Sequence, residues 1–222
     1  MRSLIEKTPW DAVVLGCETF EIRAATPEAM ARMREVPGHY TVKVDPLSDK
    51  RILHEEGFYY CDTLIEPFCA YGQLAGEGHA DATLTRDVPC DQLLQICHGA
   101  FTHGRFHRDF SIDRALADRR YDEWLRQLHA AGTVSGLLHR GTLAGFCAAV
   151  ANKLVLHALA PQYRGRGLSK YWWTALCMAL FEAGHREVVS SISVANLAAL
   201  NLYASLGFRF RKPVDVYHRT IP

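Results

Sequence analysis

The spacing of apolar positions changes several times between residues 87 and 221, and each change marks an element. In "DVPCDQLLQICHGAF" (87–101), Leu93, Leu94, Cys97 and Phe101 share one face behind Asp87 and Asp91, which predicts an amphipathic helix. "RALADRRYDEWLRQLHAAG" (114–132) predicts a second, with Leu116, Tyr121, Trp124, Leu125 and Leu128 spaced for burial and Gly132 at its C-terminus. "TVSGLLHRGTLAGFCAAVANKLVLHALA" (133–160) holds short apolar runs separated by Arg140-Gly141 and Asn152-Lys153, which predicts three antiparallel strands. A helix follows from about Leu168 to Ala183, with Trp172, Leu176, Ala179 and Ala183 on its apolar face and Gly184 ending it. "EVVSSISV" (187–194) predicts a strand, and "NLAALNLYASLG" (196–207) a short helix capped by Asn196 and Gly207. The last segment, "FRFRKPVDVYHRTI" (208–221), is one or two strands. The glycine-rich stretch "AYGQLAGEGHA" (70–80) carries few large apolar residues. It divides the chain into a first part, 1–70, a linker, 71–80, and a second part, 81–222.

Composition narrows the class. The chain has 222 residues, 49% apolar and 22% charged, which is ordinary for a globular protein of one large or two small domains. A formal net charge of +1 gives no global reason to expect nucleic acid. "MRSLIEKTPWDAV" has no long apolar run, so no signal peptide is expected. The most apolar stretch is interrupted by Asn152, Lys153 and His157, so no membrane span is expected either. The seven cysteines are irregularly spaced, with no Cys-x-x-Cys pair. That favours reduced, buried thiols in a cytoplasmic protein over a disulfide or metal framework.

The chemistry starts at "APQYRGRGLSKYW" (160–172). Gly165 and Gly167 fall where a predicted strand turns into a predicted helix. The first amides of a helix have no internal partner and lie at the positive end of its dipole. Two positions without side chains let an anion approach them, so the stretch suits phosphate, and a diphosphate in particular. It matches neither Gly-x-x-x-x-Gly-Lys-Ser/Thr nor Gly-x-Gly-x-x-Gly, since Tyr171 replaces a small residue. The spacing Gln162-x-x-Gly165-x-Gly167 is a separate signature.

The second element is "NLAALNLYASLGF", with Asn196, Ala199, Tyr203, Gly207 and Phe208. Together and in this order, the two stretches resemble the acyl-CoA-binding motifs of the GNAT superfamily of N-acetyltransferases, over roughly residues 82 to 218. The resemblance implies an α/β fold of the GNAT acyl-CoA N-acyltransferase type: a mixed, mostly antiparallel sheet, splayed at the coenzyme site, beside a smaller N-terminal α/β domain. It implies acetyl-CoA as co-substrate. Arg164, Gly165, Arg166, Gly167, Leu168 and Ser169 would hold the pyrophosphate, Leu159 would make the strand contact, and Asn196 would lie beside the pantetheine arm. Tyr203 matches the tyrosine facing the thioester sulfur. A tyrosine hydroxyl, neutral at pH 7, can protonate the leaving thiolate. His157, on the strand leading to the loop, is one candidate base for the amine, and Asp62 is another. Cys177 is expected to be buried. No Cys/His pair supports a covalent route.

The acceptor is approached through the first part. "LHEEGFYYCDTLIEPF" (53–68) looks like "YASLGFRFRKPVDVYH" (203–218): helix end, Gly-Phe, strand. Leu53 stands where Tyr203 stands, and no Gly-x-Gly loop precedes it, which suggests a degenerate half-copy forming one wall of the substrate site. "TPWDAVVLGCETFEIR", "EEGFYYCD" and "AFTHGRFHRDFSIDRALADRRYDEWL" are similar to enzymes acting on nucleotide-linked 4-amino-6-deoxy sugars, dTDP-fucosamine N-acetyltransferase among them. Their acidic residue after Gly-Phe falls on Asp62, which could orient the amine, relay its proton through water, or lie in a turn. "THGRFHRD" (102–109) is a basic run that is either a solvated loop or a lid. As a lid, Arg105 would meet the substrate's diphosphate, Phe106 would cover a ring, and His107 would add a further contact. The expected acceptor is therefore a small amine, a dTDP-linked amino sugar first. An aminoglycoside, an amino acid, a protein N-terminus and a non-catalytic acyl-CoA sensor are the alternatives. A homodimer is left open.

Overall fold

A computed structural model describes residues 3–222. The first part forms β1 (Ile5–Lys7), α1 (Pro9–Leu15), β2 (Thr19–Ile22), α2 (Pro27–Arg34), β3 (Gly38–Val44), α3 (Arg51–Glu55) and β4 (Tyr59–Ala70). The second begins with β5 (Ala82–Thr85), α4 (Cys90–Cys97), α5 (Arg114–Ala130), β6 (Val134–His139), β7 (Thr142–Val150) and β8 (Lys153–Leu159). It ends with α6 (Ser169–Glu182), β9 (Glu187–Ser190), β10 (Ile192–Ser193), α7 (Leu197–Ser205) and β11 (Arg209–Ile221).

The strands join one sheet in the order β1-β2-β3-β11-β4-β9-β8-β7-β6-β5, with β10 on β4. Only β2–β3 and β8–β9 run parallel. This is the mixed, mostly antiparallel sheet that the resemblance implies. The expected linker is irregular, but the parts on either side of it share the sheet: β4 lies between β9 and β11, and β11 pairs with β3 as well as β4. The linker is also packed down. The Ala75 N–H donates to the Leu206 carbonyl at 3.0 Å.

The halves of the sheet have separate apolar cores. Phe20, Met30, Met33, Tyr40, Leu53 and Tyr217 fill the first. Trp172, Leu176, Cys177, Val188, Tyr203 and Phe208 fill another under α6 and α7. Leu93, Leu125, Leu128, Phe146 and Leu156 seat α4 and α5. Five of the seven free cysteines are buried, Cys177 among them.

Two details differ from the sequence reading, and a third settles an alternative it left open. The buried face of α6 is Trp172, Trp173, Leu176, Cys177 and Phe181, while Ala179 and Ala183 are exposed. Both faces fit helical spacing, and the larger side chains gain more by burial. The strand expected over 187–194 breaks at Ser191; both pieces pair with β4, but only the first also pairs with β8. The end of the chain is one strand.

The two similar turns are superimposable in their bonding. The Phe58 N–H donates to Leu53 at 2.8 Å, and the Phe208 N–H donates to Tyr203 at 3.0 Å. Gly57 (φ 72°) and Gly207 (φ 81°) take the left-handed conformation that closes each helix. The strands that follow pair antiparallel, Tyr59 with His218 and Phe68 with Arg209.

Candidate active site

The sheet splays where β8 and β9 part, and the edge this leaves on β8 is the candidate cleft. The two strands pair at Lys153–Val189 and Leu154–Ser190, after which β9 ends and β8 continues to Leu159. The Ala160 N–H donates to Ala144 on β7 at 2.9 Å, so strand alternation turns the polar backbone of Leu159 toward the cleft. Its carbonyl accepts Arg164 Nε at 2.8 Å, which leaves its N–H as the donor available there.

The loop beyond β8 makes one 3₁₀ turn, Pro161–Tyr163, and then passes Gly165 (φ 69°) and Gly167 (φ 70°) into α6. These angles favour glycine. A Cβ on either glycine would meet nothing within 4 Å, so both face open space. No side chain caps the N-terminus of α6. Arg164 and Arg166 are exposed, and Leu168 and Ser169 are half-buried. Open helix amides beside two exposed arginines, neither paired with a carboxylate among the described residues, fit a diphosphate well.

Tyr203, on α7, is fully buried, and its hydroxyl lies 3.4 Å from His157 Nε2 on β8. The His157 ring meets Trp173 edge-on at 4.9 Å. Burial pushes His157 down to about 4 and the Tyr203 phenol well above its usual value. His157 is therefore neutral at pH 7 and turned toward Tyr203. Asn196 caps α7, its Oδ1 accepting from the Ala199 N–H at 3.1 Å.

Asp62 is fully buried on β4. Its Oδ1 accepts from Ser193 Oγ (2.7 Å), Arg108 Nη1 (2.9 Å) and the Thr63 N–H (2.9 Å). Its Oδ2 is buried without a partner among the described residues. Burial raises its pKa, against the lowering effect of Ser193 and Arg108. Asp62 is thus part of a polar junction between β4, β10 and the 102–109 segment, not a turn residue.

The basic run is not a free lid. Phe106 is only 2% exposed, its ring within reach of the guanidinium groups of Arg105 at 4.7 Å and Arg120 at 4.9 Å. His107 Nε2 bonds Asp118 at 2.8 Å, with its side chain 2% exposed. A phenyl ring in this setting gains more by burial than by covering a ligand. Arg105 is half-buried, and burial and the nearby Arg120 push its pKa down. It has no carboxylate partner within ion-pair distance among the described residues, whereas Arg108 and Arg120 are paired with Asp62 and Asp11.

Nothing in the sequence marks Arg108 and Ser193 as partners of Asp62, or Trp173 as a neighbour of His157. The residues of each group come from distant segments, and no spacing in the chain announces them. Among the described residues no helix is long and apolar enough to cross a membrane.

The splayed sheet, the open glycine loop at a helix N-terminus and the tyrosine on the following helix define an acyl-CoA transferase type of fold. The Acetyltransferase (GNAT) family model matches residues 93–208, which is more than half of the chain, and the chain belongs to that family. It is similar to the spore coat polysaccharide biosynthesis protein SpsD of Bacillus subtilis, at 23% identity over 134 residues, 58% of this chain and 46% of the relative. It is also similar to the N-alpha-acetyltransferase MAK3 of Arabidopsis thaliana, at 36% identity over 80 residues, 36% of this chain and 38% of the relative. The alignments thus span less than half the length of either curated relative. A solved GCN5-related N-acetyltransferase from Sphaerobacter thermophilus shares the fold, with a TM-score of 0.65 at 13% identity over 97% of this chain and 76% of that one.

Proposed function

We propose that the protein transfers an acetyl group from acetyl-CoA to the amine of a small acceptor, with a nucleotide-linked 4-amino-6-deoxy sugar as the first choice. The observation that carries this reading is the union of one open cleft edge, one open glycine loop and one tyrosine: Leu159, Gly165-x-Gly167 and Tyr203. The loop amides, with Arg164 and Arg166, hold the diphosphate of the coenzyme. Asn196, by fixing the start of α7, shapes the wall beside its pantetheine arm.

The amine nitrogen attacks the thioester carbonyl, and a tetrahedral oxyanion forms. The Leu159 N–H donates to that oxygen, a contribution of about 3 kcal/mol for one well-placed donor. When the C–S bond breaks, the thiolate takes a proton from Tyr203. Asp62 meets the acceptor amine through Oδ2, the oxygen left without a partner, and takes up the proton that the attacking nitrogen loses; this proton returns through water to the Tyr203 oxygen, so no net charge is left in the site. His157, with a pKa of about 4, is a poor base at pH 7 and serves as the neighbour of Tyr203. Arg105, whose guanidinium has no carboxylate partner among the described residues, faces the acceptor's diphosphate.

The likeness to SpsD, whose name places it in polysaccharide biosynthesis, supports a sugar acceptor. The likeness to MAK3, named an N-alpha-acetyltransferase, favours a protein N-terminus as the second reading. A thiol-release assay decides between them. It uses acetyl-CoA with a dTDP-linked 4-amino-4,6-dideoxy sugar, the free sugar, an aminoglycoside and N-terminal peptides. Turnover of the dTDP-sugar alone supports the first reading, turnover of peptides alone the second. No thiol release with any amine, despite tight acetyl-CoA binding, would leave only a sensor.

A further inference from the structure

We propose that Asp109 is a positioning residue for the acceptor end of the site: it clamps the 104–112 segment to three strands and so holds Arg108 on Asp62. The proposal rests on the reading of Asp62 as an acceptor-site residue.

Residues 98–113, between α4 and α5, form neither strand nor helix, so side chains must set their path. Asp109 does most of this. Its side chain is fully buried. Oδ1 accepts from the Tyr59 hydroxyl (2.8 Å), the Ser111 N–H (2.8 Å) and Ser111 Oγ (2.7 Å). Oδ2 bonds His218 Nδ1 (2.7 Å) and His39 Nε2 (3.1 Å). His39, Tyr59 and His218 lie on β3, β4 and β11, three adjacent strands. The potential ligand atoms of His39, Asp109 and His218 lie within 4.8 Å of one another, which raises the question of a metal. A carboxylate has about four lone-pair sites, and five contacts already use them. The cluster is therefore a hydrogen-bonded hub.

Burial alone would raise the Asp109 pKa, but the bonds from His218, His39 and Ser111 outweigh it and hold the carboxyl far below its usual range. An ionised carboxylate fixed from three strands is a rigid anchor. The neighbouring residue, Arg108, has a long side chain with many rotamers, 34% exposed. Its 2.9 Å contact with Asp62 depends on where its backbone is held.

The test reads the Asp62 carboxyl directly, by carbon NMR of the intact, substrate-free chain labelled at aspartate, with the Asp62→Asn spectrum giving the assignment. The groups facing Asp62 are Arg108, Ser193, the Thr63 N–H and, from α5, Tyr121. Arg108→Gln removes the cation and is expected to raise the Asp62 titration midpoint by about one pH unit or more. Asp109→Asn, whose amide hydrogens face the hub's own donors, is expected to raise it as much, with no further rise in the double variant. Tyr59→Phe and His39→Gln, milder losses at the hub, are expected to raise it less, and not at all in the Arg108→Gln background. An unchanged midpoint in the folded hub variants, or a rise that adds to that of Arg108→Gln, overturns the positioning role. Unchanged kcat/KM for Asp62→Asn across the amine panel overturns instead the acceptor-site reading, and leaves the coupling between Asp109 and Asp62 to be judged by NMR alone.

Discussion

The Tyr203 hydroxyl stands 3.4 Å from His157 Nε2; the tyrosine is fully buried and the half-buried imidazole packs edge-on against Trp173. Burial keeps the imidazole neutral down to about pH 4 and keeps the phenol protonated. The pair therefore holds one proton that can be given without any ionised group waiting in the pocket. In the proposed reaction the hydroxyl turns from His157 to the leaving sulfur.

Tyr203→Phe removes that proton and leaves the ring in its place against Phe208. The fold should be nearly unaffected, since the bond lost is long and a typical one contributes only about 1 kcal/mol. Steady-state kinetics should show kcat lower by about 10²-fold or more. KM for acetyl-CoA should move only a few-fold, because the loop is untouched. An unchanged kcat, under conditions where the chemical step limits turnover, would return Tyr203 to a packing role.

The loop makes a different prediction. At φ near 70°, an alanine at position 165 or 167 adopts a strained backbone that costs roughly 1–2 kcal/mol. It meets no protein atom, so its Cβ projects into the space proposed for the diphosphate. Gly165→Ala and Gly167→Ala should stay folded. KM for acetyl-CoA should rise about tenfold or more, the equivalent of about 1.4 kcal/mol. Wild-type enzyme should use acyl donors that lack the diphosphate poorly. Equal use of such donors would show that the loop does not hold the coenzyme.

The legible parts of this chain were those under unusual local constraint. Gly165 and Gly167 could be found because glycine ahead of a helix needs a reason, and the Gly57 and Gly207 turns because each closes a helix in the same way. The splayed sheet followed from the family resemblance. What stayed hidden depended on contacts between remote segments. Asp62, Arg108 and Ser193 meet only after three pieces of chain are folded together. The run "THGRFHRD" has the composition of a solvated loop, and nothing in it shows that Phe106 is buried against the guanidinium groups of Arg105 and Arg120. Helical spacing could not choose between the two faces of α6, where alanines and tryptophans fit equally well.

Arg105 is the test of an anionic acceptor. Arg105→Ala should raise KM for a dTDP-linked amino sugar and spare KM for acetyl-CoA. Added salt should weaken the wild-type acceptor interaction as well, since a half-exposed charge is partly screened at about 0.15 M. Equal turnover of the free amino sugar and its dTDP-linked form would remove the need for a second anion site, and with it the role of Arg105.

Stability should depend on pH through two histidines of lowered pKa. His157 and His218 are both pushed down to about 4, mainly by burial, although the bond to Asp109 pulls His218 the other way. In the unfolded chain each titrates near 6.5. Between these values the unfolded state binds more protons than the folded state, so acid favours unfolding. Each histidine contributes a slope of up to about 1.4 kcal/mol per pH unit. The urea midpoint should therefore fall as pH drops from about 6.5 toward 4. Protonation of the Asp109 carboxyl, which is held low, destabilises only at still lower pH, below its ordinary unfolded value near 3.8. Asp62, held high, works weakly in the opposite direction. His157→Gln removes one of the two titrations. It should flatten the dependence between pH 6.5 and 4.5 by up to about half, whatever it does to stability at pH 7. A slope unchanged by His157→Gln would mean that His157 is protonated in the folded protein at these pH values. The neutral imidazole facing Tyr203 would then be the wrong description of the cleft.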